Sequence, residues 1–367
     1  MDKNVVFVTY TMMTPAVIGG AFIRALRLAT ELHRRGWSPI ICNAGPMLDD
    51  PKVRQAQGIV RFVDLDEALP GADATMAAGF FTSLRPAVVV FGEGPLPRME
   101  VFFEAAKLVK RPLVMLEQYY QHWLFTPRHD VDLLLLYGLT CFWKDDLILH
   151  KPAVMVPPYI EHVVPKEDLP VPRHLHTLPW VTLIAYDSTV LHKGIDLLAS
   201  LGAIPAAVIT VSHDPQEARR LLDESMPPAQ PAATLPLQSD AAVAGLMGTS
   251  RVVLVSNGFL QIMEALAMAC PVVCIDRGVG FAAWILDDRF RPYVSIGETT
   301  EQQQARIGQW LATSPFPPRL RDALQHERGG TRLCADLIEA LAARRWTVPM
   351  LRRQAGTIIG NLKQGIL

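Results

Sequence analysis

One stretch constrains the fold of this chain more than any other: RVVLVSNGFLQIMEALAMACPVVCI, at residues 251–275. Its first part, Arg251–Val255, is apolar and β-branched, as expected of a strand buried on both faces. Residues 256–258 are turn chemistry, residues 259–268 are rich in helix formers, and Pro271 closes the helix before a second apolar strand. The sequence therefore predicts a βαβ unit with a right-handed crossover.

The turn of this unit has the properties of an anion-binding site. A helix that begins directly after a buried strand presents backbone N–H groups and the positive end of its dipole at the carboxyl edge of the sheet. Gly258 lets a ligand approach the backbone closely. Glu264 follows on the helix in an otherwise apolar segment. It either faces solvent or accepts hydrogen bonds from a hydroxylated ligand, and periodicity does not decide between the two.

The run NGFLQIMEALAMACPVV resembles the donor-binding segment of glycosyltransferases with the two-domain GT-B fold. In that family a glycine-containing turn enters a helix that carries a Glu, and Ala-Leu-Ala or Ala-Met-Ala and Pro-Val-Val follow. The resemblance implies that Gly258, Phe259 and Leu260 lie near the diphosphate of a nucleotide-sugar donor, and that Glu264 binds its ribose. The alternative is an ordinary βαβ unit with a solvated Glu264.

Composition narrows the class of protein. A length of 367 residues predicts about two domains, and 50% hydrophobic with 19% charged residues allows large cores. The formal net charge of −1 argues against a nucleic-acid binder driven by bulk charge. Five scattered Cys without a C-x-x-C indicate buried thiols in a reducing cytoplasm. No apolar segment reaches the roughly 20 residues that span a bilayer, so we expect a soluble, cytoplasmic protein, with peripheral membrane contact left open.

The first half of the chain repeats the βαβ pattern. A helix is predicted from Ala21 to Arg35, with Arg24 on its polar side. The segment GGAFIRALRLATELHRRGWSPIIC resembles the opening of many GT-B transferases, where a Gly-Gly loop precedes a long helix. The resemblance implies that Gly19 and Gly20 lie near the transferred sugar or the acceptor. A tight turn in any doubly wound sheet is the alternative.

Three residues of this half are candidates for a general base. Two predicted strands end in Glu93 and Glu117, and the carboxyl ends of strands line the ligand crevice of open α/β sheets. His122, in QYYQHWLF, is the third, because its pKa suits proton transfer near neutral pH. Each has a structural alternative: an N-cap, a solvated turn, or a core histidine with a hydrogen-bond partner.

A proline-rich segment separates the two halves. The segment from Pro157 to Pro179 contains six prolines, both ends included, which predicts an extended linker at residues 166–179. It joins an N-terminal acceptor domain at 1–165 to a C-terminal donor domain at 180–345, and residues 346–367 are expected to return to the first domain as a helix. The His-x-His at 174–176 lacks further ligands at metal spacing, so we expect a solvated linker and no metal site.

Two basic residues of the second half are candidates for contact with the donor. The segment YDSTVLHKGIDLLASL resembles a GT-B loop in which Lys-Gly precedes the first helix of the donor domain. The resemblance places Lys193 near the departing diphosphate, with the helix starting after Gly194. Arg277, in the turn DRGVG, would reach phosphate or sugar. An exposed lysine is the alternative for Lys193.

Together these features predict an α/β protein of two Rossmann-like doubly wound parallel-sheet domains facing across a cleft, the GT-B fold. The implied function is a glycosyltransferase that moves a sugar from a nucleotide diphosphate sugar to an unidentified acceptor, without a cofactor. Ser256 and Ser188 stand where the largest retaining family has Glu and Arg, and residues 256–258 are closer to inverting relatives that make lipid-linked peptidoglycan precursors. Stereochemistry therefore stays open, as do two alternatives: a nucleotide-sugar epimerase, and a catalytically silent scaffold acting as partner or nucleotide sensor.

Overall fold

The chain divides into two compact units, each built on a parallel sheet. Described residues up to Tyr159 and from Gly329 onward belong to the first unit, and those from Ile160 to Arg328 to the second. The doubly wound α/β architecture predicted from the sequence is confirmed in both. The structure is a computed structural model that describes residues 3–11, 20–45, 51–92, 99–118, 131–139, 153–256, 258–275 and 290–343.

The first unit opens with the predicted strand, helix and strand. Most of its strands are buried apolar runs, as expected of a parallel sheet covered on both faces, whereas the edge strand Arg61–Asp64 is partly exposed. Its described strands are β1 (Asn4–Tyr10), β2 (Ser38–Ala44), β3 (Arg61–Asp64), β4 (Pro86–Phe91), β5 (Leu113–Gln118), β6 (Leu133–Tyr137) and β7 (Ala153–Val156). The helices among them are α1 (Gly20–Arg34), α2 (Pro51–Ala56), α3 (Leu65–Ala68), α4 (Ala74–Ser83) and α5 (Glu100–Leu108).

The seven described strands of this sheet lie in the order β3-β2-β1-β4-β5-β6-β7, and every described pair is parallel. The order reverses between β1 and β4, so β1 leads to β2 on one side while β4 leads to β5 on the other. Helices α4 and α5 pack with the sheet into one core, in which Phe81 lies 6.4 Å from Phe102 between ring centroids.

The second unit has the same organisation with shorter strands at its far edge. Its described strands are β8 (Trp180–Ala185), β9 (Ala207–Ser212), β10 (Ala232–Leu235), β11 (Ser250–Ser256), β12 (Val272–Ile275) and β13 (Val294–Ser295). Its helices are α6 (Ser188–Ala199), α7 (Pro215–Ser225), α8 (Asp240–Thr249), α9 (Phe259–Ala267), α10 (Thr300–Ala312) and α11 (Pro318–Leu324).

This sheet has the order β10-β9-β8-β11-β12-β13 among the described strands, again all parallel. The reversal falls between β8 and β11, where Ile184 pairs with Val255. One core packs α6, α7 and α10 against the sheet, and a second packs α8. β10 ends at Leu235, because the next residue, Pro236, lacks the N–H that would continue the ladder.

The last described helix, α12 (Gly330–Ala342), belongs to the first unit and packs on α1. The return to the first unit thus begins at Gly329, earlier in the chain than the boundary at 345 drawn from the sequence, and residues 346–367 lie outside the described part. Arg35 joins the two helices, because its guanidinium pairs with Asp336 and with Glu339 at 2.9 Å.

A second contact of α12 is made by Tyr159, whose Oη lies 3.3 Å from Cys334 Sγ on that helix. Burial raises the pKa of the Tyr159 hydroxyl.

Arg24 is buried, contrary to its predicted place on the polar side of α1. Only 1% of it is exposed. Its Nη2 donates to the Gly92 carbonyl at 3.4 Å, and its guanidinium lies over the Tyr137 ring at 5.8 Å. A buried guanidinium needs such partners, because unpaired charge is costly away from water.

The proline-rich segment at 166–179 packs on the second sheet and is not the solvated, extended linker that we predicted. It forms short 3-10 turns at Lys166–Asp168 and Arg173–Leu175, and buries Leu175 in the core beside α8. His176 Nε2 lies 2.9 Å from the Val171 carbonyl oxygen. Burial of the apolar residues between the prolines therefore holds this segment against the sheet.

Close packing at Gly330 gives a test of how α12 is held. A Cβ at Gly330 would lie 1.9 Å from the Pro157 carbonyl oxygen. Gly330→Ala should therefore shift the start of α12 and lower the stability of the fold by roughly 1–3 kcal/mol, measured by urea unfolding. Gly308→Ala is the matched control, because nothing lies within 4 Å of its Cβ position on α10. It should stabilise by roughly 0.5–1 kcal/mol, and equal effects of the two would contradict this packing.

Glu31 should make stability depend on pH in the acid range. Hydrogen bonds from Arg34, at 2.7 and 2.8 Å, and from Arg35 lower its pKa from 4.5 to about 2. A lowered pKa stabilises the fold above pH 4.5, and that contribution is lost as pH falls towards 2. Glu31→Gln should lower the free energy of unfolding, measured by urea unfolding, by about 1–2 kcal/mol at neutral pH, and by less as the pH approaches about 2. The exposed Glu224, paired with Arg220 at 2.6 Å, is the control, and Glu224→Gln should change little.

Candidate functional site

The junction between β11 and α9 has the form that the sequence predicts. β11 is buried from Val252 to Ser256, and α9 begins at Phe259. Gly258 is the N-cap residue of α9, exposed, with φ −75° and ψ 124°. Phe259 is buried and Leu260 half-buried. The junction thus brings exposed backbone to the carboxyl edge of the second sheet.

The N-cap of α9 differs from those of the neighbouring helices in this unit. Side chains of Asp187, Asp214 and Ser239 accept hydrogen bonds from the first turns of α6, α7 and α8. Thr299 forms a capping box with Gln302 at the start of α10. The N-cap residue of α9 is Gly258, which supplies no side chain, so the positive end of this helix dipole is not neutralised by its own cap residue.

Gln261 adds a hydrogen-bond donor to this junction, which sequence reasoning missed. Its Oε1 accepts from Ser256 Oγ at 2.8 Å, a bond that orients the amide. Its Nε2 is buried, and no partner for it exists in the described part of the chain. A Cβ at Gly258 would lie 3.8 Å from Gln261 Oε1, so the amide group lies directly beside the N-cap. A buried donor without a partner costs free energy unless a ligand or water completes it.

Glu264 lies further along α9 and does not face solvent. It is 6% exposed, among buried apolar neighbours of the same helix. Gln261 and Glu264 are three positions apart and hence neighbours on the helix surface. A donor amide and an acceptor carboxylate therefore line one side of α9, starting from its N-terminus.

The start of α6 differs from the prediction. We expected the helix to begin after Gly194, but it begins at Ser188, capped by Asp187, whose Oδ1 accepts from Val190 N at 2.9 Å. Lys193 is exposed and lies in the second turn of the helix, not in a preceding loop. Gly194 faces the sheet, where an added Cβ would lie 2.5 Å from Leu183 Cδ1. The Asp187 carboxylate therefore occupies the N-terminus of α6, the end of the helix at which we expected a phosphate to bind.

The other predicted site residues are spread over the first unit or lie outside the described residues. Gly20 is the first residue of α1 and is half-buried. Glu117 lies inside β5, is fully buried, and pairs in register with Leu136. The structure does not describe Gly19, Glu93, His122 or Arg277.

Two aromatic side chains at the same sheet edge were not singled out from the sequence. Tyr186 follows β8 and His213 follows β9, and their ring centroids are 6.4 Å apart. They are neighbours because Ala185 pairs with Ser212 at the ends of these strands. The sequence contained one indication of this pair: each aromatic residue directly follows an apolar run, and therefore lies at the carboxyl end of a predicted strand.

Side chains able to ligate a metal, and thiols, occur across the described part of the chain. No three or more His, Cys, Asp or Glu side chains among them lie together as a ligand set. The described cysteines, Cys42, Cys270, Cys274 and Cys334, are buried thiols that form no disulfide. Burial raises the pKa of Cys42 to about 12. Among the described helices, none combines the length and apolar character that a bilayer crossing needs.

Comparison with known sequences gives no match: no protein-family model matches the chain, and no curated protein does. Comparison with solved structures gives many. The glycosyltransferase VinC in complex with DTDP matches with a TM-score of 0.61 and 12% identity, over 93% of this chain and 100% of that chain. CalG4, the calicheamicin glycosyltransferase, matches with a TM-score of 0.59 and 15% identity, over 93% of this chain and 98% of that one.

A third neighbour is a Listeria monocytogenes protein assigned provisionally as a UDP-N-acetylglucosamine 2-epimerase. It matches with a TM-score of 0.55 and 12% identity, over 92% of this chain and 95% of that chain. At such identities the likeness concerns the fold. The chain has the GT-B fold, with two Rossmann-like units, as the sequence predicted.

Proposed function

We propose that this chain is a glycosyltransferase that binds a nucleotide diphosphate sugar at the N-terminus of α9 and transfers the sugar to an acceptor. The single observation that carries the proposal is the side-chain amide of Gln261. It is a buried donor without a described partner, held beside an exposed glycine N-cap. Donors at a helix N-terminus bind phosphate oxygens, and a diphosphate would complete this one.

The position of this junction in the sheet supports a nucleotide ligand. In open α/β sheets, ligands bind outside the carboxyl ends of the strands where the strand order reverses. β8 and β11 flank that reversal, and the Gly258 turn directly follows β11. A close approach of phosphate to the backbone requires a residue without a side chain at this point.

Glu264 would bind the ribose of the same ligand. A carboxylate accepts hydrogen bonds from two neighbouring hydroxyls, and each charge-assisted bond contributes about 1.5–3 kcal/mol. The distance along the helix fits, because three residues from Gln261 to Glu264 span about 4.5 Å. In this arrangement one side of α9 binds phosphate at its start and ribose further on.

Transfer needs stabilisation of the departing diphosphate and removal of a proton from the acceptor. We assign the first task to the α9 N-terminus, with Lys193 and Arg277 as further cations. Glu93 and His122 are our candidates for the base. Glu117 is the weaker candidate, because it is fully buried inside β5. In this proposal the C-terminal domain holds the donor and the N-terminal domain, with Gly19 and Gly20, the acceptor.

Two other functions each have one observation in their favour. A nucleotide-sugar epimerase is supported by the likeness to the Listeria protein. It would convert the donor sugar with no acceptor present. A silent scaffold that senses nucleotide is supported by the Asp187 carboxylate at the start of α6, which opposes a phosphate there. It would bind nucleotide and never release sugar.

A thermal-shift screen tests the proposal first. Ligands that bind the native state raise the melting temperature, so UDP-, GDP-, TDP- and ADP-sugars should be compared with their free sugars. We expect one nucleotide class to raise it and the free sugar to have no effect. No shift with any nucleotide would remove the transferase, the epimerase and the nucleotide sensor together.

Gly258→Asp should abolish nucleotide binding without harming the fold. A Cβ here meets only ordinary contacts, at 3.6 Å from Ser256 Oγ and 3.8 Å from Gln261 Oε1. The new carboxylate would repel a diphosphate, since like charges about 4 Å apart at a protein surface repel by about 4 kcal/mol. We expect a loss of affinity on the order of 1,000-fold by titration calorimetry. Gly258→Asn has the same shape without the charge and should lose much less, and equal losses would point to a steric effect.

Glu264→Gln should weaken nucleotide binding by about 1.5–3 kcal/mol, because an amide replaces a charged acceptor. Glu327→Gln is the control, since Glu327 is also a buried carboxylate of the second unit, with 1% exposed. Calorimetry should show the control unchanged. Unchanged affinity in Glu264→Gln would remove this residue from the site.

A further inference from the structure

The amino edge of the first sheet carries a row of basic residues that the proposed function does not use. Lys3 precedes β1, Arg85 precedes β4, and Lys110 and Arg111 precede β5. These three strands are neighbours in the sheet. We call the four residues the basic edge.

Backbone pairing places the members of the basic edge side by side. Asn4 pairs with Pro86, and its Nδ2 donates to the Leu84 carbonyl at 2.7 Å, so the residues that precede β1 and β4 are adjacent. Val89 N donates to the Pro112 carbonyl at 3.0 Å, which sets the start of β5 beside β4. Adjacent strands lie about 5 Å apart. The four cations therefore share one surface.

The charges of the basic edge are available to a partner. All four side chains are exposed, and none makes an ion pair or side-chain hydrogen bond to another described residue. Asp132 directly precedes β6, and its carboxylate accepts from Leu113 N at 2.8 Å. Glu104 pairs with Lys107 at 3.2 Å. Asp2 lies outside the described residues. Cations thus outnumber the described acids at this edge.

Two members of the basic edge occupy conformations that favour glycine. Arg85 has φ +49° and Lys110 has φ +54°, each directly after the C-cap of α4 or α5. Glycine is the usual residue there, since a side chain strains the left-handed conformation. The negative end of a helix dipole is stabilised by a nearby cation. A Lys or Arg in the last helical turn would provide this stabilisation without a strained backbone. Ala269, directly after the C-cap of α9, has the same conformation at φ +52° without a charge, so glycine is the residue that relieves the strain at such positions whatever the charge.

An exposed leucine lies within the same segment. Leu108 is 54% exposed, between Lys107 and Lys110 at the end of α5. Among the described residues, Met76 is the other large apolar side chain exposed to this degree. An apolar side chain surrounded by cations suits the boundary between lipid headgroups and acyl chains.

We propose that the basic edge and Leu108 dock on a membrane surface that contains anionic lipid. Lys and Arg next to such a surface are attracted by its negative potential, and the apolar side chain gains by insertion. Nucleic acid would supply negative charge but no apolar layer into which Leu108 could insert. The formal net charge of the chain, −1, also gives no overall attraction to a nucleic acid. The amino edge is the opposite end of the sheet from its carboxyl edge, so docking leaves that edge of the first unit uncovered.

Vesicle flotation with the full chain tests this proposal. Wild type should bind vesicles of phosphatidylcholine mixed with phosphatidylserine, bind pure phosphatidylcholine weakly, and be released by salt. Arg85→Gly with Lys110→Gly removes two charges and also the strain at both positions, so the fold should persist. Each cation near the surface contributes about fivefold in partition coefficient, so the double variant should lose about 25-fold. Leu108→Gln, at an exposed position, should lose about fivefold without altering charge.

Arg251→Gln with Arg319→Gln is the matched control, because both arginines are exposed and lie on the second unit. It should bind vesicles within about twofold of wild type, since these charges lie outside the basic edge. Equal losses in the two double variants would mean that bulk charge alone acts, and would overturn the proposal. Equal binding of wild type to neutral vesicles would overturn it too. So would displacement from anionic vesicles by duplex DNA at the same phosphate concentration, which would make the surface a nucleic-acid site.

Discussion

The proposed site depends on one local constraint, the change from strand to helix at Gly258. A buried parallel strand ends there, and the helix that follows has a glycine where its neighbours have Asp or Ser. The positive end of the α9 dipole therefore meets no charge from its own cap residue. Ser256, the last residue of β11, holds the amide of Gln261 and directs a donor to the same place. The junction combines electrostatic attraction with a positioned hydrogen bond.

The rest of the second unit keeps this junction fixed. β11 is paired on both sides, with Leu254 opposite Leu183 of β8 and Val273 of β12. The burial of these strands leaves little freedom for the turn that follows. Asp187, Asp214 and Ser239 satisfy the starts of α6, α7 and α8 internally, which leaves α9 as the helix in this group whose cap residue invites an anion.

Apolar runs and turn residues were sufficient to predict the two doubly wound sheets, because local patterns determine buried parallel strands. These local patterns gave wrong predictions where residues distant in the sequence determine the burial or conformation of a side chain. Arg24 was assigned to the polar side of its helix, but its guanidinium lies over the ring of Tyr137, which is more than 100 positions away in the chain. The start of α6 was misplaced because Gly194 was interpreted as a turn, whereas it is a close contact of the helix with Leu183.

The candidate site shows the same division. Gly258 and Glu264 could be proposed from the sequence, since their spacing on one helix is a local property. Gln261 was not, because its role depends on the Ser256 hydroxyl that fixes its amide and on the lack of a second described partner. Sequence patterns locate a helix start, whereas the orientation of a single side chain requires the surrounding structure.

Hydrogen–deuterium exchange with and without the best-binding nucleotide diphosphate tests the central claim most directly. Amides in the first turn of α9, from Phe259 to Ile262, should exchange more slowly in the complex, because a bound diphosphate engages and covers this helix end. The first turn of α6, already capped by Asp187, should change little. Protection at α6 or elsewhere in the second unit, with α9 unchanged, would contradict the account.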